Sequence, residues 1–215
     1  MSSLLEVLRA ADFAARLHAG QRRKGEAQEP YLNHLIEVAE AVGEATASEA
    51  TASEDPALIV AALLHDIVED TLASLDDVAE AFGQDVADLV AELTDDKSVE
   101  KAVRKRRQVE NAHAKSERAK ILKVADVTSN LRALVESPPA NWDIARRTAY
   151  FHWAAAVVDG CRGASASLEQ AFDEAYSRGM AALEREAAAA ERCVGRSGGD
   201  DAPPGPVAGA LNPPA

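Results

Sequence analysis

His65-Asp66 closes a long apolar run, and Glu69-Asp70 follows one helical turn later, in the segment AALLHDIVED from Ala61 to Asp70. Asp66 and Glu69 are three residues apart, while His65–Glu69 and Asp66–Asp70 are each four apart, so on a helix all four side chains are neighbours. Three carboxylates and an imidazole at the end of a buried helix repel one another and lose hydration. A divalent cation removes that conflict, since it takes charged oxygen and neutral imidazole as ligands. Taken alone, the dipeptide fits an ordinary polar helix end at least as well. His34, after PYLN, and Asp126, inside the apolar KILKVADVTSNL, are two further candidates. An Asp flanked by Val124, Ala125 and Val127 needs a partner if that face is buried, though it could instead cap a neighbouring helix or face solvent.

Charge placement limits what such a site can serve. The chain carries a net charge of −13, which excludes a general nucleic-acid binder, because that task needs basic surface. No Lys or Arg occurs between Ile36 and Asp96; positive charge is gathered in Arg22-Arg23-Lys24 and in Lys101 to Arg107. An acidic protein with two local basic patches can hold a small anion while repelling polyanions. Both patches also read as solvated surface, and for Lys101–Arg107 a solvated helix face is the expectation. His18, His113 and His152 have no liganding partner at useful spacing, and Trp142 and Trp153 read as core. No apolar run is long enough to span a bilayer, the first twenty residues carry charges at helical spacing unlike a signal peptide, and Cys161 and Cys193 form no metal or redox motif. A reduced, cytoplasmic setting is expected.

The elements that must position these residues are helical. Aromatics make up 4% of the chain, Ala, Leu, Glu and Arg dominate, and no stretch alternates like a strand. Ser2 or Ser3 caps a first helix with Leu4, Val7, Leu8, Ala11, Ala14 and Ala15 as its apolar stripe, ended by Gly20. A second helix starts at Pro30-Tyr31 and runs through Val42. The tandem ATASE copy, Ala45–Glu54, has no apolar face and reads as a lengthened loop. Asp55-Pro56 opens an apolar helix to about Val68, Ser74 and Asp77 make a capping box, and Gly83 ends that short helix. Helices follow from Gln84 to Leu93, through the basic segment, from Glu117 to Val135, from Trp142 to Gly160 and from Ala166 to Ala190. The expected fold is all-α, a bundle of about eight to ten helices, with one domain over 1–194 and a disordered Gly/Pro-rich tail over 195–215.

With PYLNH, LLHDIVEDT and VADVTSNL in this order, the chain resembles the HD hydrolase domain of the RelA/SpoT alarmone family. It resembles most closely the stand-alone small alarmone hydrolases, the metazoan SpoT homologue among them. The similarity runs from AADFAARLHAGQRRKG through FGQDVADLVAELTDDKS to YFHWAAAVV, roughly Leu4 to Tyr176, and leaves the tail outside. The resemblance implies that His34, His65, Asp66 and Asp126 hold one divalent metal ion. In that family it is usually Mn2+, and the donor set also admits Fe2+ or Zn2+. It implies that Glu69 and Asp70 position and deprotonate the attacking water, that Arg23 and Lys24 form a basic nucleotide loop, and that Lys97 and Asn130 reach the nucleotide. Arg146 and Tyr150 would lie near its phosphates. The implied activity is hydrolysis of guanosine tetraphosphate or pentaphosphate (ppGpp or pppGpp) at the 3′ position, giving GDP or GTP and pyrophosphate.

The chain departs from the family pattern at two places. Leu35 follows His34 where Pro is common, and Val127-Thr128-Ser129 follows Asp126 where the family has a basic residue, as in DRLHN or DKLYN. The second change removes a positive charge and puts substrate identity in question. Two alternatives therefore stand: an NADPH 2′-phosphatase or other nucleotide phosphohydrolase on the same site, and a non-catalytic nucleotide-binding module. The expected partner is a small anionic nucleotide, with no nucleic acid and no membrane; oligomeric state is not readable.

Overall fold

Asp55 and Pro56 fix the start of the helix around which the site is organised. The Asp55 carboxylate accepts the Leu58 amide at 3.0 Å, and Pro56 occupies the first helical position, where its missing N–H costs nothing. The computed structural model describes residues 3–48 and 55–197. Their elements in chain order are α1 (Ser3–Leu17), α2 (Tyr31–Ser48), α3 (Pro56–Leu64), α4 (Ile67–Asp70), α5 (Leu75–Phe82), α6 (Gln84–Leu93), α7 (Lys101–Asn111), a 3-10 turn (Ala112–Ala114), α8 (Glu117–Glu136), α9 (Ile144–Asp159) and α10 (Ala166–Ser197). Among the described residues there is no strand, only an isolated bridge between Arg22 and Pro30. The all-α expectation holds.

Two inner helices carry the core. In α3, Leu58, Val60 and all four residues from Ala61 to Leu64 are buried, as its all-round apolarity requires, and α1, α2, α6 and α8 pack about it. In α8 the buried set runs without a break from Ile121 to Ser129, and α2, α9 and α10 surround it. Truncating a fully buried leucine such as Leu64 or Leu122 should cost about 2–5 kcal/mol. Four buried polar residues of the core, His34, His65, Lys123 and Asp126, come from α2, α8 and the end of α3.

The capping box of Ser74 and Asp77, the positive φ of Gly83 (93°) and the bounds of α6 follow the sequence reading. Other expectations need correction. The helix from Asp55 does not continue to Val68: it breaks at His65-Asp66, where Asp66 sits at φ −100°, ψ 0°, and a single further turn, α4, resumes. That break swings the Asp66 carboxylate beside the His65 ring. The apolar stripe assigned to α1 is rotated: Leu4 and Leu8 are 66% and 58% exposed, while Ala10 and Ala14 are fully buried. Small side chains let α1 lie close against α3, which leaves the leucines outside. The first ATASE copy is not loop either. Helix α2 runs to Ser48 with Ala45 buried, and the Thr46 hydroxyl donates back to the carbonyls of Val42 and Gly43. The second copy, Ala50–Glu54, and the Ser2 cap lie outside the described residues. Helix α10 continues to Ser197, three residues into the segment expected as tail; the remainder, 198–215, is also outside them.

Candidate metal centre and cleft

Four side chains from three segments converge. The Nε2 atom of His34, near the start of α2, lies 3.4 Å from Asp126 Oδ1 and 3.8 Å from Asp66 Oδ2. His65 Nε2 lies 3.1 Å from Asp66 Oδ2 and 3.8 Å from Asp126 Oδ1, and the two imidazole centroids are 5.3 Å apart. Both Nε2 atoms are buried without a hydrogen-bond partner. Their other nitrogens are committed: His65 Nδ1 donates to the Ala62 carbonyl at 2.8 Å, and His34 Nδ1 lies 2.9 Å from Ser129 Oγ. In the neutral form that binds a metal, a ring whose Nδ1–H is donated keeps its proton there and offers its lone pair at Nε2. Two such lone pairs facing two carboxylates form a donor set that fits one divalent cation, and His34, His65 and Asp66 lie within 4.8 Å of one another.

The local field also calls for positive charge. Burial pushes the His65 imidazolium down, but Asp66 and then Asp126 outweigh it and carry His65 up to about 9. For Asp66, burial works to raise the carboxyl, and His65 more than cancels it, so the group stays well below the ordinary range. Asp126 behaves likewise: Lys123, its ammonium 2.9 Å from Oδ2, overcomes burial and keeps it ionised. Both aspartates are also bonded at the very oxygens that face the imidazoles. The Tyr31 hydroxyl donates to Asp66 Oδ2 at 2.5 Å, and Asn130 Nδ2 donates to Asp126 Oδ1 at 2.7 Å.

Glu69 and Asp70 face the next wall. Glu69 Oε1 lies 3.3 Å from Arg104 Nη1, and its Oε2 accepts the Asp95 amide at 3.4 Å. Burial raises the Glu69 carboxyl, as does the nearby Asp66, against the Asp95 amide. Asp70 pairs with Lys97, and the Gln21 side chain donates to the Asp70 carbonyl at 2.8 Å. Gln21 Oε1 in turn accepts from His18 Nδ1 at 2.7 Å, and the His18 ring stacks on Tyr31.

A cleft of about 640 Å³ opens beside this cluster, lined by the loop Gln21–Glu29, Tyr31, Asp70, Asn130, Trp142 and Tyr150 among others. Arg23 reaches across it toward α8, with Nη2 3.4 Å from Asn130 Oδ1 and 3.5 Å from the Ser129 carbonyl. Lys24 lines the cleft and is exposed. The loop is pinned where the Ala27 amide donates to Ser137 Oγ at 2.9 Å; a Cβ on Gly25 would fall 2.2 Å from the Ser137 carbonyl oxygen, so only glycine permits this approach. On the far side Tyr150 stands between Trp142 and Trp153, with ring centroids 5.7 and 5.0 Å away. Arg146 is exposed, its guanidinium 4.3 Å over Trp142, and it does not line the cleft.

Of the expected residues, then, the structure brings together His34, His65, Asp66 and Asp126, sets Glu69, Asp70 and Lys97 beside them, and gives Arg23, Lys24, Asn130 and Tyr150 to the cleft. Several participants escaped the sequence reading. Tyr31 and Lys123 brace the aspartates. Arg104 and Lys105, assigned to a solvated face, pack inward: Lys105 lies over the rings of Trp153 and Tyr150, and burial pushes its ammonium down to about 7. Trp142 is a half-buried cleft wall rather than core. His18 is fully buried, and His113 and His152 are exposed. Lys123, three before Asp126, carried a readable signal, since a charged residue among apolar neighbours at that spacing needs a partner.

The comparisons with known proteins follow this geometry. The HD domain family profile matches residues 10–154. The guanosine-3′,5′-bis(diphosphate) 3′-pyrophosphohydrolase of Drosophila melanogaster is 48% identical over 169 residues, covering 78% of this chain and 92% of the fly protein. The Homo sapiens protein of the same name is 44% identical over 177 residues, covering 82% and 96%. A solved structure described as a metazoan ortholog of SpoT that hydrolyzes ppGpp superposes with a TM-score of 0.74 at 46% identity, covering 80% of this chain and 94% of its own. A Listeria monocytogenes EGD-e structure gives 0.57 at 28% identity, covering 72% and 98%.

Proposed function

This chain belongs to the HD domain family, and from that premise we propose that it is a metal-dependent guanosine-3′,5′-bis(diphosphate) 3′-pyrophosphohydrolase. The observation that carries the reading is the pair of buried imidazole lone pairs, His34 Nε2 and His65 Nε2, turned toward two ionised aspartates with no hydrogen-bond partner of their own. The relatives of the same name, matched over nearly their whole length, supply the substrate.

His34, His65, Asp66 and Asp126 would hold the cation, which we assign as Mn2+. When bound, it supplies Lewis-acid charge that polarises the phosphoryl group and makes water a stronger acid. Glu69 accepts the proton from the attacking water; its carboxylate is half-buried and made more basic by that burial, with Arg104 fixing its other oxygen. Asp70, tied to Lys97, orients the same water. The water oxygen bonds to the phosphorus attached to the ribose 3′ oxygen, the P–O3′ bond breaks, and the 3′ oxygen leaves with the proton that Glu69 took from the water, returned to it directly or through solvent. GDP or GTP and pyrophosphate are the products. Arg23 and Lys24 take the purine and the phosphates, with a guanidinium plane suited to stacking and an ammonium suited to a point charge. Asn130 meets the nucleotide from α8, Tyr150 supplies an aromatic wall, and Arg146 swings from Trp142 toward the phosphates. We assign the reaction to the cytoplasm, where the nucleotide pool lies, and to the one domain ending near residue 194.

The direct test incubates purified protein with Mn2+ and ppGpp and assays pyrophosphate, beside NADPH and simple nucleotides in one panel. Pyrophosphate release from ppGpp supports the proposal. Release of phosphate from NADPH with no ppGpp turnover would transfer it to the phosphatase alternative, and binding without any turnover would leave only a nucleotide-binding module.

A further inference from the structure

Glu37 lies one turn after His34 on α2 and points at α8, where it meets Ser129, one turn after Asp126. Ser129 Oγ donates to Glu37 Oε2 at 2.8 Å. A hydroxyl has one proton, so with that proton on the carboxylate Ser129 can only accept at its second contact, His34 Nδ1, 2.9 Å away. The direction of the chain is thereby fixed: His34 Nδ1–H to Ser129 Oγ, then Ser129 O–H to Glu37. It keeps the His34 proton on Nδ1 and holds the Nε2 lone pair toward Asp126 and Asp66. Unlike His65, whose Nδ1 is held by the carbonyl of its own helix, His34 depends for its tautomer on two side chains from two helices.

The same carboxylate has a second duty. Glu37 Oε2 lies 3.3 Å from Arg23 Nη1, and Oε1 lies 3.8 Å from Arg132 Nη1. The Arg23 side chain is only 12% exposed and its guanidinium reaches Ser129 and Asn130 of α8, so Glu37 is what balances its charge in that position. Glu37 and Arg132 also stand in the wall shared by the cleft and a separate cavity of about 310 Å³ behind α2 and α8.

We propose that Glu37 is a positioning residue that acts on both halves of the site, orienting the metal ligand His34 through Ser129 and holding Arg23 in the nucleotide cleft. The inference rests on the metal-site reading but not on the identity of the nucleotide. Hydrogen-bond partners of a ligating histidine typically contribute about 10–100-fold in metal affinity. Removal of Ser129 therefore loosens chiefly the metal, since its Oγ contact to Arg23 Nη1 is long at 3.5 Å and its carbonyl still faces Arg23, whereas removal of Glu37 loosens both the metal and the nucleotide.

The test compares Ser129→Ala, Glu37→Ala and Glu37→Gln with the wild type, measuring Mn2+ affinity by calorimetry on chelator-stripped protein and ppGpp KM and kcat across a Mn2+ series. Ser129→Ala is expected to weaken Mn2+ binding by about 10–100-fold, with turnover returning as Mn2+ is raised. Glu37→Ala adds a KM increase that excess Mn2+ does not repair. Glu37→Gln keeps an oxygen that can accept the Ser129 proton, so its Mn2+ affinity returns toward wild type while KM stays high. Mn2+ affinity equal to wild type in both Ser129→Ala and Glu37→Ala overturns the proposal, as does a Glu37→Ala KM that excess Mn2+ fully restores. Circular dichroism of the stripped proteins checks folding; should Ser129→Ala fail to fold, the Glu37 pair, altered at a half-exposed side chain, still decides. Wild-type protein that binds Mn2+ but leaves ppGpp intact would remove the assigned substrate, and the Mn2+ affinities would still judge the relay.

Discussion

Around His65 and Asp126 each side chain is held by a residue from another helix or by a turn of its own: Tyr31 on Asp66, Lys123 and Asn130 on Asp126, Ala62 and Ser129 on the two imidazoles. The opposite wall is made differently. The loop from Gln21 to Glu29 is largely exposed and folds on itself through Arg23–Glu29 and Tyr31–Gln21 backbone bonds, then leans on Ser137 at the end of α8. A cluster of imidazoles and carboxylates locked between buried helices cannot be altered without leaving charges unpaired. An exposed loop can exchange side chains at little cost in stability, so it is the place where one HD site can come to prefer one nucleotide over another.

The hardest way to break that contrast is Asp126→Ala. It removes a proposed ligand and strands the buried Lys123 ammonium, so Mn2+ binding and turnover should be abolished and unfolding free energy should fall by about 3–5 kcal/mol. Denaturant titration and metal analysis check it, and a variant that kept wild-type stability would show that the metal end is not the locked region described. Glu69→Gln comes next: kcat should drop by about 10²–10⁴-fold while Mn2+ affinity holds, because the side chain serves the water rather than the ion. A parallel loss of Mn2+ affinity would place Glu69 among the ligands. Stripping the cation should lower the melting temperature, and Mn2+ at about 100 times its Kd should restore about 2.7 kcal/mol. No shift on metal addition would argue against a formed site.

Gly25→Ala sharpens the other side of the contrast. The added Cβ collides with the Ser137 carbonyl, the loop must lift, and KM should rise several-fold with kcat and melting temperature nearly unchanged. A large fall in stability would mean that the loop is as locked as the metal end. The smallest effect concerns Lys105. Buried under α9, it is pushed down to about 7, whereas an unfolded lysine titrates near about 10.4. Between those values the unfolded chain binds more protons, so stability from this group rises with pH there; the full burial cost applies below about 7. The ring faces of Trp153 and Tyr150 recover part of that cost. Lys105→Met should remove this slope in denaturant titrations run from pH 6 to 10, and an unchanged slope would assign it to other groups.

The sequence alone determined more of the chemistry than of the support. Helix starts and stops at Asp55-Pro56, Ser74–Asp77 and Gly83 were legible because caps are local. His34, His65, Asp66 and Asp126 were legible because charged residues inside apolar helices demand partners, and their order matched a family pattern. Neither argument could reach across helices. That Tyr31 braces Asp66, that Arg104 turns to Glu69, that Glu37 serves His34 and Arg23 together, and that α1 buries its alanines rather than its leucines all follow from how the helices cross. Periodicity fixes which residues share a face of one helix, but which face meets which neighbour depends on close packing summed over the whole core. Only the assembled tertiary structure decides it.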